Sequence, residues 1–114
     1  MEKIHMALQI RLAKENIFFG PGVVQLLKLT EQYHSLNAAA KSMNLSYTKA
    51  NRMIKGAEEA LNFKLLTRKV GGSGGGGSTL TDECKEFIEK YLRFENEIKL
   101  TSNEIFEKYF INYI

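Results

Sequence analysis

Between Ser46 and Leu61, side chains that can hydrogen-bond or carry positive charge gather on one helical face. Thr48, Asn51, Arg52 and Lys55 are spaced i, i+3, i+4 and i+7. Asn can pair bidentately with adenine and Arg with guanine, and each good pair is worth about 1–3 kcal/mol of discrimination. Tyr47 and Thr48 fall in the first turn, the part of a recognition helix that meets base edges. Lys41, Lys49, Lys55, Arg68 and Lys69 are suited to phosphates. The candidate DNA-binding set is Ser46, Tyr47, Thr48, Lys49, Asn51, Arg52, Lys55, Arg68, Lys69 and Ser73. An ordinary solvated helix also shows a polar face. The small-residue helix before this face and the basic hairpin after it favour the binding reading.

Charge is distributed the same way. The 114-residue chain carries a net +3. Residues 41–69 hold seven basic residues and two acids, whereas residues 70–114 hold five basic residues and eight acids. A concentrated basic stretch is the footprint of a polyanionic partner. The chain is 44% hydrophobic and 25% charged, ordinary values for one folded domain. One cysteine, Cys84, excludes a disulfide scaffold and fits a reducing cytoplasm. No apolar run is long enough for a membrane span, and the start of the chain does not read as a targeting segment.

Catalytic and metal chemistry find little support. His5 falls on the exposed face of a strand pattern, His34 ends a helix, and Cys84 lies in the first turn of another. Nothing pairs them at ligand spacing, and no nucleophile–base constellation stands out. The expectation is a chain that is not an enzyme and carries no cofactor or metal.

The elements that must position the polar face follow from periodicity. Ile4, Met6, Leu8, Ile10 and Leu12 alternate with polar or small residues, so 3–12 is predicted as a strand with one buried face. Pro21 suits the first position of a helix running to about His34, with Phe19 packing on Val24 as a staple. Val23, Val24, Leu26, Leu27 and Tyr33 supply its apolar stripe. Ser35 caps a short helix over 36–43, whose Ala38-Ala39-Ala40 run allows close approach. Ser46 caps a third helix over 47–61, with Ala50, Ile54, Ala57 and Leu61 inward. Gly56 within it reads as a site of close packing. Residues 64–70 read as a strand and Thr79-Leu80 as its short return. Thr81 caps a long helix, and Thr101-Ser102-Asn103-Glu104 matches a capping box that would start a separate last helix.

The eight residues Gly71–Ser78 admit three readings: a flexible linker, a phosphate-cradling loop, or the tip of a hairpin wing. No Gly-Lys-Ser/Thr closes the run as a P-loop requires. The preceding Arg68-Lys69 favours a wing. Phe106, Tyr109, Phe110 and Tyr113 either fold onto the chain's own core or form half of a dimer interface. Two apolar terminal helices exceed what a three-helix core covers, which favours dimerisation through 81–114, joined by the N-terminal strand and first helix.

The order is strand, three helices, hairpin, long helix. The expected fold is mostly α with a small β wing: a winged helix-turn-helix with an N-terminal strand and a long C-terminal helix or helices. Residues 1–80 would be the DNA-binding domain and 81–114 a helical dimerisation segment. Phe18-Phe19-Gly20-Pro21-Gly22, Ser35-Leu36 with Ala38-Ala39-Ala40, Leu45-Ser46-Tyr47 with Ala50, and the glycine run through Thr79-Leu80-Thr81 resemble the N-terminal domain of ModE-type molybdate-dependent regulators. The Ser-Leu-x-x-Ala-Ala segment is shared more broadly with LysR-type regulators. The resemblance spans about residues 17–92 and argues against an engineered linker. It implies a homodimeric regulator of double-stranded DNA, with Tyr47, Thr48, Asn51 and Arg52 in the recognition helix. The molybdate- or tungstate-binding domains of that family are separate and C-terminal. A chain stopping at Ile114 is expected to lack room for them, so no oxyanion site is expected in it; it reads either as a short stand-alone relative, which Met1 and the amphipathic end favour, or as a fragment. The competing expectation is a winged-helix scaffold that binds another protein.

Overall fold

A computed structural model describes the backbone of residues 2–72 and 75–114, and side chains outside 70–76. The order is β1 (Leu12–Ala13), β2 (Ile17–Phe19), α1 (Pro21–Tyr33), α2 (Leu36–Ser42), α3 (Tyr47–Leu61), β3 (Leu66–Gly72), β4 (Gly75–Leu80), α4 (Asp82–Phe110) and a terminal 3-10 turn, Ile111–Tyr113. Two small antiparallel sheets, β1–β2 and β3–β4, flank the helices. This is the expected winged helix-turn-helix with a long C-terminal helix.

Three hydroxyl caps set three of the four helix starts. Ser35 Oγ accepts from Ala38 N at 3.0 Å, Ser46 Oγ from Lys49 N at 3.0 Å, and Thr81 Oγ1 from Cys84 N at 3.1 Å. Each satisfies an N–H that has no partner within its own helix. Helix α1 starts instead on Pro21. His34 and Asn62 end α1 and α3 in the left-handed region, at φ 54° and 67°, and Asn44 does the same in the α2–α3 turn at φ 56°.

The core joins all four helices. Phe19, Leu26, Leu27, Ile54, Leu65, Thr30 and Cys84 are its largest fully buried side chains. Phe19 meets Phe87 and Tyr91 edge-on, at centroid distances of 4.8 and 5.1 Å. Thr30, the polar member, donates its hydroxyl to Leu26 O at 2.7 Å. It holds a place in the α1 stripe that the sequence assigned to Tyr33, which is exposed.

Four further expectations need correction. The N-terminal strand is confined to Leu12–Ala13, and residues 3–11 form no ladder with any described strand. Burial nevertheless alternates from Met6 to Leu12, so the period of two marks a covered face without a neighbouring strand. The returning wing strand begins at Gly75, not Thr79. Gly56 is exposed, and a Cβ built there meets nothing within 4 Å, so close packing does not explain it. The capping box at Thr101–Glu104 starts no helix: α4 runs through it unbroken. No glycine or proline interrupts the segment, and Asn103 and Glu107 bond across one turn at 3.3 Å.

Helix α4 changes character along its length. Cys84, Ile88 and Tyr91 are buried in the common core. Of its described residues beyond Tyr91, none is buried.

Candidate nucleic-acid interface

Helix α3 turns Ala50, Ile54 and Ala57 inward, and the opposite positions therefore face out. Tyr47, Thr48, Lys49, Arg52 and Lys55 are exposed, and Asn51 is half-buried. Ser46 is also exposed, but its hydroxyl oxygen is engaged as the α3 cap. Its first role is to set where the helix begins. Lys41, Arg68 and Lys69 are exposed as well. Ser73 lies outside the described residues.

The wing stands beside α3 because its root is tied at several points. Ser78 N donates to His34 O at 3.0 Å. A Cβ on Gly77 would come within 3.3 Å of that same carbonyl, so glycine lets the strand approach the end of α1. Thr81 N donates to Leu65 O at 3.0 Å, and Thr81 Oγ1 to Lys64 O at 2.6 Å. Glu58 Oε2 accepts from Leu65 N at 2.8 Å and Leu66 N at 3.4 Å, binding the back of α3 to the start of β3. Sequence reasoning missed this carboxylate. Nothing in the spacing of Glu58 marks it, since its partners are main-chain groups seven and eight residues on.

With the root fixed, Arg68 on β3 reaches α3. Its Nη1 donates to Asn51 Oδ1 at 2.6 Å and to Tyr47 OH at 3.3 Å. The structure thus joins three of the sequence-selected residues directly. Tyr47, Arg68 and Lys69, with Ser35 and Ser78, line a hollow of about 200 Å³ between the starts of α2 and α3 and the wing. Arg52, exposed beside Asn51, also borders with Arg11 and Lys14 an open cleft of about 820 Å³ between the β1–β2 hairpin and α3.

These features match a known family. The family model for "bacterial regulatory helix-turn-helix protein, lysR family" matches residues 23–85, more than half of the chain. The chain belongs to the lysR family of regulatory helix-turn-helix proteins. Within it the domain is of the ModE type. It is 33% identical over 91 residues to the transcriptional regulator ModE of Haemophilus influenzae, covering 80% of this chain and 35% of that protein. It is 32% identical over 85 residues to the molybdenum transport protein ModE of Azotobacter vinelandii, covering 75% of this chain and 32% of that protein. The chain therefore spans about a third of the length of these curated relatives. What it shares with them is a DNA-binding helix-turn-helix domain.

The residues considered for other chemistry lie apart. His5 is exposed on the N-terminal segment. Cys84 is buried, and its pKa is pushed up to about 12 by loss of hydration first, then by the Glu31 and Glu58 carboxylates. Such a thiol stays protonated and is a poor nucleophile or ligand. Among the described residues, no three His, Cys, Asp or Glu side chains gather as a metal site. No described helix is long and apolar enough to cross a membrane.

Proposed function

We propose that this chain acts as a homodimeric, sequence-specific reader of duplex DNA. The observation that carries the reading is the outward face of α3: Tyr47, Thr48, Lys49, Arg52 and Lys55 are exposed on one capped helix, flanked by Arg68 and Lys69 on the wing. In this reading α3 enters the major groove, and Tyr47, Thr48, Asn51 and Arg52 meet base edges. Lys41, Lys49, Lys55 and Lys69 neutralise phosphates, as does Arg68 wherever it leaves Asn51, and Ser46 borders the same backbone. The dimer forms through 81–114. Phe94, Leu100, Ile105, Tyr109 and Phe110 are exposed there in a density unusual for a surface left to water. Two-fold symmetry then gives an operator of two related half-sites. Regulation of transcription follows from operator occupancy. The names of the relatives make genes of molybdenum transport a reasonable first set of targets.

The test is titration of the purified protein with the duplex upstream of its own gene, against unrelated competitor DNA, over a salt series. Competitor-resistant binding that weakens steeply with salt supports the reading, because counterion release accompanies each phosphate contact. Failure to bind any duplex in preference to competitor would remove sequence-specific reading.

A further inference from the structure

The short bond from Arg68 to Asn51 bears on which base Asn51 can read. An Asn carboxamide offers an acceptor oxygen with two lone pairs and two donor hydrogens. Bidentate pairing with adenine needs both ends, the oxygen accepting from N6 and the nitrogen donating to N7. Here one of the oxygen's lone pairs already accepts from Arg68 Nη1 at 2.6 Å, a charge-assisted bond of the stronger class that places a cation beside the other. The amide cannot be turned the other way, because a guanidinium has only donors and would face the NH2 group donor to donor. An adenine N6 amino group approaching the second lone pair would bring its positive hydrogens toward the guanidinium, which disfavours that bond. The nitrogen end has no such conflict. In the major groove guanine presents two acceptors, N7 and O6, side by side.

We infer that Arg68 sets what Asn51 reads: with its oxygen held by the wing, Asn51 acts as a donor and selects guanine over adenine at the position it contacts. This rests on the proposed entry of α3 into the major groove. Arg68 is a positioning residue here, acting on the base through Asn51. The device depends on the anchored wing root, because Arg68 pairs across the hairpin with Ser78, whose N–H is tied to His34 O. The wing thereby contributes to base choice as well as to backbone contact.

The experiment is selection from a randomised duplex pool by the wild-type chain, Asn51→Ala, Arg68→Thr and Arg68→Lys. Threonine keeps strand propensity at an exposed position, and a thermal melt checks that the variant folds. The position whose preference vanishes in Asn51→Ala should favour guanine in the wild type. At that position alone, Arg68→Thr should shift the guanine-to-adenine ratio by about tenfold toward adenine. Arg68→Lys, still a cationic donor, should retain guanine. NMR of the free protein tests the contact without DNA: the Asn51 side-chain amide signals should move in Arg68→Thr. Unmoved signals would overturn the inference even if DNA binding stands. So would an adenine preference in the wild type, or an Arg68→Thr that weakens all sequences alike and lowers the salt slope, the signature of a phosphate contact. If the wild type enriches no sequence, the proposed function fails and this inference with it.

Discussion

The outer face of α3 and the distal half of α4 are both helix surfaces that the rest of the chain leaves uncovered, but their chemistry is opposite. On α3 the exposed positions include Thr48, Lys49, Arg52 and Lys55, with Tyr47 at the start and Gly56 and Glu59 further along. On α4 they include Leu100 at 61% exposure, Ile105 at 54% and Tyr109 at 67%. Phe106 and Phe110 stack on each other at 5.1 Å. Water solvates the first surface at no cost, so it can stand empty and fill reversibly. Exposed apolar area carries a continuing free-energy penalty of about 25 cal/mol per Å². The difference suits α3 to a partner that comes and goes and distal α4 to one that stays. It also separates which substitutions should alter affinity for DNA directly and which should act through assembly.

The largest effect should come from distal α4. Replacing Phe106 and Phe110 together by Asp is expected to yield a monomer in sedimentation and to weaken operator binding about 100-fold or more, because two linked half-sites bind with an effective concentration that one lacks. The single change Phe110→Asp should weaken the dimer less. A double variant that remains dimeric would remove this face as the interface. Next comes Arg52→Ala, expected to cost about tenfold or more on the selected site and to relax its preference, with thermal stability unchanged. Unchanged affinity and sequence preference in the variant would take Arg52 out of the base-reading set. Cap removal should be smaller. Ser46→Ala is expected to lower stability by about 1 kcal/mol in urea titration, and Thr81→Ala by more, since Thr81 Oγ1 also donates to Lys64 O. Smallest near neutral pH is the effect of Cys84. Its raised pKa means that the folded chain keeps a proton the unfolded chain releases. Stability should therefore be unaffected below about pH 9 and fall as pH rises toward 12. A pH-independent melting temperature across that range would show the thiol to be better hydrated than its burial implies.

The comparison also shows which parts of the molecule were legible in the sequence. Helix α3 was, to the residue, because a capping serine, a 3.6-residue stripe and a polar face all mark the same segment. The N-terminal strand was half legible. Alternation at Met6, Leu8, Ile10 and Leu12 survives as alternating burial, but a period of two reports a covered face and not a hydrogen-bonded neighbour. The capping box at Thr101 misled because its residues are also acceptable inside a helix when nothing breaks the chain. Within the candidate site, the outward positions followed from helical spacing. The link from Arg68 to Asn51 did not, because it joins residues 17 apart through a wing whose placement depends on Glu58, Ser78 and Thr81 together. Local pattern shows which side chains face outward. It does not show which of them have already satisfied one another.

The continuity of α4 has a further consequence. The helix is fused to the wing through Thr81 and runs for 29 residues, about 43 Å at 1.5 Å per residue, without a break. A rigid rod of this kind converts residue number into angle. One residue inserted after Tyr91 would turn everything beyond it by about 100° and advance it by about 1.5 Å. In the proposed dimer, that rotation would change the phase between the two α3 helices and leave every contact around each α3 in place. In such a dimer, half-site spacing on the DNA would be encoded by the length of a helix that need not touch it.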